Sequence, residues 1–272
     1  MTAQTSGISP SRDLSVALDV CQAAGRIAMQ YWLKGIEAEM KDDDTPVTAA
    51  DRQCERVIRE GIAAAFPQDA ILGEEEGETQ GLAGRTEAAS ARGRRKWIID
   101  PIDGTYNYAR GVPIFATLLA LEQDGEIVAG VVHAPAAGDT YWAEKGCGAY
   151  RNGQRLRASD YGDLSRSQLN FGALNRILAD GYWGGFTRLV GSTYRQRGYG
   201  DYLGFAQVFE GKAEIMLEVG VKAWDLAPMK IIIEEAGGRY SDLSGGQSVY
   251  TGSCLVSNGL VHDRALELLL GG

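Results

Sequence analysis

Apolar residues recur every three to four positions in LSVALDVCQAAGRIAMQYW, from Leu14 to Trp32, which predicts an amphipathic helix. The polar stretch KDDDTPVTAAD then leads into a second helical pattern, DRQCERVIREGIAAAF, with Thr48 as its N-cap and Pro67 past its end. AILGEEEGE reads as a short strand that dissolves into acids. Residues 77–96 read as a Gly-, Ala- and Arg-rich loop, with Arg92, Arg94, Arg95 and Lys96 as a solvated flank. KWIID then carries three consecutive apolar residues into Asp100, the pattern of a buried strand.

The pattern now turns to β. FATLLALEQDGEIVAGVVHAP predicts a hairpin turning at Asp124-Gly125, and TYWAEKGCGAYRNGQRLR predicts further short strands with a turn at Asn152-Gly153. From there the elements alternate. SQLNFG is a strand, a helix covers roughly 175–190, TYRQRGYG is a strand and DYLGFAQVFEG a helix. AEIMLEV is a strand, WDLAPMKIIIEEAGG a helix, GRYSD and SCLVSN are strands, and HDRALELLL is a closing helix. Such mixing predicts an α/β protein built of layered sheets and helices.

Composition narrows the chemistry. The chain has 272 residues, 44% of them hydrophobic, which suits one large domain or two halves sharing a core. A net charge of -9 argues against non-specific binding to nucleic acid or an anionic membrane. No apolar run approaches the ~20 residues of a membrane span. Cys21, Cys54, Cys147 and Cys254 are far apart and form no CxxC, which reads as reduced thiols and a cytoplasmic location. With His133 and His262 the only histidines, a multi-histidine metal site is disfavoured and carboxylates become the candidates.

Those carboxylates sit where elements begin and end. Asp51 opens the second helix, Glu74 ends the AILGEE strand, Asp100 and Asp103 end the KWIID strand, and Asp225 starts a helix with Pro228 in its first turn. In α/β proteins, ligand sites gather at such edges. Hard divalent cations take oxygen ligands, and magnesium combines a few carboxylates with water and substrate phosphate. Taken singly, each acid is equally a helix cap or a surface charge, and Glu75, Glu76 and Glu78 read as solvated. The pair Asp100 and Asp103 is harder to dismiss. Two carboxylates about 4 Å apart repel by roughly 4 kcal/mol at an effective dielectric near 20, so something must offset them. Pro101 stiffens the chain between them, Gly104 permits a tight turn, and Thr105 opens a short helix whose N–H groups would face a phosphate.

DPIDGTYNY resembles the first signature of the inositol monophosphatase family, and WDLAPMKIIIEEAGG resembles the second. TPVTAAD and LGEEEGE are similar to two further family segments, and all four stand in the family's order. The resemblance implies an αβαβα sandwich over residues 12–272, in two structural halves of roughly 12–155 and 156–272, usually as a homodimer; residues 1–11 are expected to be disordered. It implies a magnesium-dependent phosphomonoesterase with two or three ions. The side chains of Glu74, Asp100, Asp103 and Asp225 and the carbonyl of Ile102 would be the metal ligands. Gly104 and Thr105, with Asp103 and Asp225 beside them, would meet the substrate. Asp51 and Thr105 would orient or activate the attacking water, with help from Glu74. Glu218 falls where the family contacts the organic part of the substrate, and reads equally as an exposed strand-end acid.

The segment RQRGYGD separates subfamilies. Inositol phosphatases carry a small neutral run near Tyr199, Gly200 and Asp201, whereas this pattern looks like the histidinol-phosphate phosphatases. An acid at Asp201, with Glu218, would pair with the ammonium or imidazole of histidinol phosphate. Asp201 reads at the same time as the N-cap of the next helix. Arg197 either steers the phosphate or supports its loop. The alternatives are an inositol-1-monophosphatase or broad sugar-phosphate phosphatase, a nucleotide bisphosphate phosphatase, and a non-catalytic metal-binding regulatory relative.

Overall fold

The computed structural model describes residues 10–34, 38–40, 46–81 and 94–271. Most of the N-terminal segment expected to be disordered, the Thr48 side chain as a cap, and Arg92 lie outside the described residues.

The first helix, α1 (Arg12–Trp32), starts where the Ser11 hydroxyl accepts from Leu14 N at 3.1 Å, a hydroxyl N-cap. Its stripe of Leu14, Ala17, Cys21, Ala24 and Ala28 packs with Cys54, Ile58 and Ile62 of α2 (Ala49–Ala65). Both helices cover one face of an eight-stranded sheet. Its strands are β3 (Ala70–Gly73), β4 (Gly77–Thr79), β5 (Arg95–Asp103), β6 (Ala116–Gln123), β7 (Glu126–Ala134), β8 (Asp139–Glu144), β9 (Gly148–Arg151) and β10 (Gln154–Arg155), in spatial order 10-9-8-7-6-5-3-4. A separate two-stranded ribbon pairs β1 (Ala38–Met40) with β2 (Pro46–Thr48). Both predicted turns adopt left-handed backbone at both central residues, with φ of 53° and 85° at Asp124-Gly125 and 49° and 79° at Asn152-Gly153. That is the geometry that matches strand twist in a two-residue hairpin.

Period-two alternation along β5 divides its side chains between two cores. Trp97 and Ile99 join the core under α1 and α2, while Ile98 joins the opposite one. That opposite core also holds α6 (Asp201–Phe209), α7 (Ala223–Glu235) and the inner face of a second sheet. The second sheet orders β12 (Arg195–Arg197), β11 (Gln168–Phe171), β13 (Ile215–Val219), β15 (Ser253–Ser257) and β14 (Arg239–Ser241). Its outer face packs on α5 (Trp183–Ser192) and α8 (His262–Leu270) through Leu169, Phe186, Leu217, Leu255 and Leu269. The layers therefore run α–β–α–β–α. The central layer fits closely: a Cβ added at Gly130 of β7 would stand 2.9 Å from Pro228 Cα on α7.

Several sequence expectations need correction. The helix expected over 175–190 is two, α4 (Leu174–Ala179) and α5, parted at Gly181 with φ of 82°. The expected loop at 77–96 contains β4 at one end and the start of β5 at the other. Arg95 and Lys96 are not a solvated flank. Arg95 donates to Asp13 and Asp69 at 3.0 Å each, tying α1 to the sheet, and Lys96 pairs with Glu122 at 3.2 Å. Pro228 lies in the second turn of α7, not the first, because that helix begins at Ala223.

Candidate active site

Asp100 and Asp103 are three apart, so a regular strand would send them to opposite faces. β5 is not regular there. Asp100 pairs with Leu118 and Asp103 with Ala116, so three steps on β5 oppose two on β6. This bulge reverses the parity of everything after it, and Ile102 consequently joins the core of Trp97 and Ile99 rather than that of Ile98. Pro101 lies inside the bulge and has no N–H to leave unpaired, while its carbonyl accepts from Thr117 Oγ1 at 2.9 Å. The extra residue brings both carboxylates to the side facing α7.

Asp225 meets them there. As the third residue of α7, it accepts from Lys222 N at 2.7 Å, which closes the helix start and fixes its carboxylate. One oxygen each of Asp100, Asp103 and Asp225 lies within 4.8 Å of the others. Asp100 Oδ1 is buried with no hydrogen-bond partner among the described residues. Burial, then the charges of Glu74, Asp103, Asp225 and Asp51, push the Asp100 carboxyl well above the usual carboxylate range. Asp103 is raised in the same direction by burial, then by Asp201 and Asp225. Asp225 is pushed up to about 7, chiefly by burial. The cluster must hold either protons or a cation. Its all-oxygen donors, its orphaned buried oxygen and its concentrated charge suit a hard divalent ion.

Glu74 follows β3 and donates its N–H to Ile99 O at 3.2 Å, so it rides on the strand that carries Asp100. Gly104 sits in the left-handed region at φ 80° between β5 and α3 (Thr105–Ala109), and a Cβ there would lie 2.8 Å from Ile114 O. The Thr105 hydroxyl lies 2.9 Å from the Ile102 carbonyl and 3.4 Å from Asp51 Oδ1, with Asp51 fully buried in the first turn of α2.

The start of α6 and strand β13 contribute a further acidic edge. Asp103 Oδ2 accepts from Tyr202 N at 2.6 Å, and the preceding residue, Asp201, accepts from Asn107 Nδ2 at 2.7 Å. The N-cap of α6 is Gly200, without a side-chain cap bond; Asp201 is the first helical residue, at a left-handed φ of 53°. Its expected role as N-cap is therefore replaced by a tie to Asn107. Burial raises the Asp201 carboxyl, and burial followed by Asp201 and Asp225 pushes Glu218 up to about 8. Glu218 is buried, which removes its reading as an exposed acid. Glycines make room for it, since a Cβ at Gly172 would overlap its carboxylate at 1.9 Å. Arg197 is half-buried on β12 and donates to the neighbouring Gln196 carbonyl at 2.7 Å.

Sequence reading missed three side chains here. Asn107 lies within DPIDGTYNY, which gives no sign of its partner 94 residues away. Glu55 and Arg59 are buried charges one position past the apolar residues Cys54 and Ile58, so they share the inward face of α2.

The sequence pattern described as the inositol monophosphatase family matches residues 9–270. A histidinol-phosphatase of Mycobacterium tuberculosis is 37% identical over 96% of this chain and 98% of its own length. A histidinol-phosphatase of Chlorobaculum parvum is 38% identical over 95% of this chain and 96% of its own. Among solved structures, an IMPase of Thermotoga maritima superposes with a TM-score of 0.82 at 32% identity, covering 95% of this chain and 97% of that one. With the α–β–α–β–α layers and the acidic cluster at the β5 bulge, these findings place the chain in the inositol monophosphatase family.

Proposed function

We propose that the protein is a magnesium-dependent phosphomonoesterase that hydrolyses histidinol phosphate to histidinol and phosphate. The observation that carries the substrate is the acidic edge of half-buried Asp201 and buried Glu218, beside the cluster but outside the Asp100, Asp103 and Asp225 triplet. A dianionic phosphate gains nothing from two further acids, whereas an alcohol bearing an ammonium and an imidazole does. The 36–38% identical histidinol-phosphatases support the same reading.

Asp100, Asp103, Asp225 and Glu74, with the Ile102 carbonyl, would hold two or three magnesium ions. Bound magnesium supplies positive charge against the dianion and acidifies water. The chain's own groups do the rest. Thr105, within reach of both Ile102 O and Asp51 Oδ1, orients the attacking water, and Asp51 receives its proton, with Glu74 assisting. Gly104 and the Thr105 N–H approach the phosphate. Asp201 and Glu218 grip the cationic alcohol. Direct attack by water needs no covalent phosphoenzyme. The sequence expectation of a cytoplasmic homodimer belongs to the same reading; among the described residues all four cysteines are free thiols.

Phosphate release from histidinol phosphate, inositol-1-phosphate, fructose-1,6-bisphosphate and adenosine 3′,5′-bisphosphate tests it. The expected result is magnesium-dependent turnover with the highest kcat/KM on histidinol phosphate. A preference for inositol-1-phosphate overturns the substrate, and no release from any ester overturns the activity.

A further inference from the structure

Glu55 is a fully buried acid in α2, and its partner Arg59 is 8% exposed. The two are four residues apart and join through Arg59 Nε and Glu55 Oε1 at 2.8 Å. Neither was expected to take part in the site. Both reach out of their helix into the chain that follows Glu74. Glu55 Oε2 accepts from Glu75 N at 2.8 Å, and Oε1 accepts from Glu76 N at 3.0 Å. Arg59 donates through Nη2 to Gly77 O at 2.5 Å and through Nη1 to Thr79 Oγ1 at 3.1 Å. On the other side of Glu74, a Cβ at Gly73 would stand 2.2 Å from Glu55 Oε1, so the strand end lies directly against this carboxylate. The N–H of Glu74 itself is fixed to Ile99 O.

These contacts over-determine one short turn. A helix needs no buried ion pair at this position for its own sake, because replacing such a pair by apolar residues of similar volume is often neutral or stabilising. Apart from the contact between Nε and Oε1, the hydrogen bonds described for the pair go to residues 75–79 rather than to the helix. Groups that hold a metal's ligands in place commonly change metal affinity by about 10–100-fold when altered.

We propose that Glu55 and Arg59 are positioning residues for Glu74: they clamp the turn behind it and thereby set the site's affinity for its divalent cation. The inference rests on the metal role proposed for Glu74, and its test separates the two.

Metal-free protein is titrated with Mn2+, and free ion is counted by electron paramagnetic resonance; no turnover is involved. Glu55→Gln keeps the size but sets an NH2 group or a weaker acceptor against one of the two backbone N–H groups. It is expected to raise the Mn2+ dissociation constant about tenfold or more. Arg59→Lys keeps the charge but loses the fork to Gly77 and Thr79, and gives a smaller loss in the same direction; it carries the test should Glu55→Gln not fold. In a Glu74→Gln background neither change weakens binding further, because the ligand they position is gone. If Glu74→Gln weakens Mn2+ binding and the two clamp variants do not, whatever their melting temperatures, the pair is merely structural and the inference is overturned. If Glu74→Gln itself leaves Mn2+ binding at the wild-type value, the metal role of Glu74 fails first and takes the clamp with it.

Discussion

Two buried polar clusters in this molecule differ in one respect. On the second sheet, His262 is fully buried between two hydroxyls, with Nδ1 2.9 Å from Ser257 Oγ and Nε2 2.9 Å from Ser241 Oγ. Burial lowers its pKa to about 4, so the ring is neutral and both nitrogens are satisfied. At the β5 bulge, Asp100 is buried as deeply but Oδ1 has no partner among the described residues, and its neighbours are other acids. A closed network fixes a fold. An open one of a single charge sign is costly unless something outside the chain completes it. Chemistry belongs not to buried polar groups as such, but to those the chain leaves incomplete.

The largest expected effect comes from altering the open cluster. Asp100→Asn keeps shape and removes one charge. Because even residues behind a metal's ligands cost about 10–100-fold in affinity or activity, magnesium-dependent turnover should fall by more than ~100-fold. The metal-free variant should melt at a higher temperature than wild type, since a repulsive neighbour of Asp103 is gone. Near-normal turnover at ordinary magnesium concentrations would erase the distinction between the clusters. Thr105→Ala should lower kcat by about 10²-fold or more with little change in KM, the pattern of a group that acts mainly in the transition state. A rise in KM alone would make Thr105 a binding residue only.

A charge-assisted hydrogen bond contributes roughly 1.5–3 kcal/mol, so Asp201→Asn should cut kcat/KM for histidinol phosphate by about ten- to a hundredfold and affect inositol-1-phosphate much less. Equal losses on both substrates would make Asp201 structural. Asparagine suits this test because it also tolerates the left-handed backbone found there.

How much of this was legible in the sequence differs between the same regions. The apolar run into Asp100 announced a buried strand, and the ordered motifs announced the family. The bulge did not show, because pattern reading has no way to count residues against a partner strand; Pro101 was the trace it left. Arg95 and Lys96 read as solvated because charge runs usually are, yet Asp13, Asp69 and Glu122 arrive from other elements to pair with them. Gly181, which takes a left-handed φ, is the one sequence signal that parts α4 from α5 within an otherwise helical stretch. Glu55 and Arg59 were hidden by their type: charges on an inward helix face are read as errors of register until their partners are seen.

The closed cluster supplies the smallest effect and the control. His262→Leu takes the partner from the buried Ser241 hydroxyl and one of two from Ser257, whose Oγ still accepts from Gly259 N, and should cost about 1–3 kcal/mol in unfolding free energy, with kcat unaltered. Its pH dependence runs opposite to that of the acids. A histidine with a lowered folded pKa contributes stability that is full above about 6.5 and is lost as pH falls toward about 4. Asp225, raised to about 7 when no cation is bound, destabilises the metal-free fold above that pH, and this penalty is relieved as pH falls toward its ordinary range. Urea unfolding of metal-free wild type, Asp100→Asn and His262→Leu between pH 4 and 8 should therefore show the slope of stability against pH changing in opposite directions in the two variants, more positive in Asp100→Asn and more negative in His262→Leu. Identical profiles would contradict the opposing signs.

The most direct test of the incomplete cluster is calorimetric titration of the metal-free protein with magnesium chloride at pH 7, repeated in two buffers of different ionisation enthalpy. Raised carboxyls in the cluster hold protons that a cation must displace. Saturable binding with net proton release is expected, with both lost or sharply reduced in Asp100→Asn and both retained in His262→Leu. Binding without proton release, or binding that Asp100→Asn leaves intact, would contradict it.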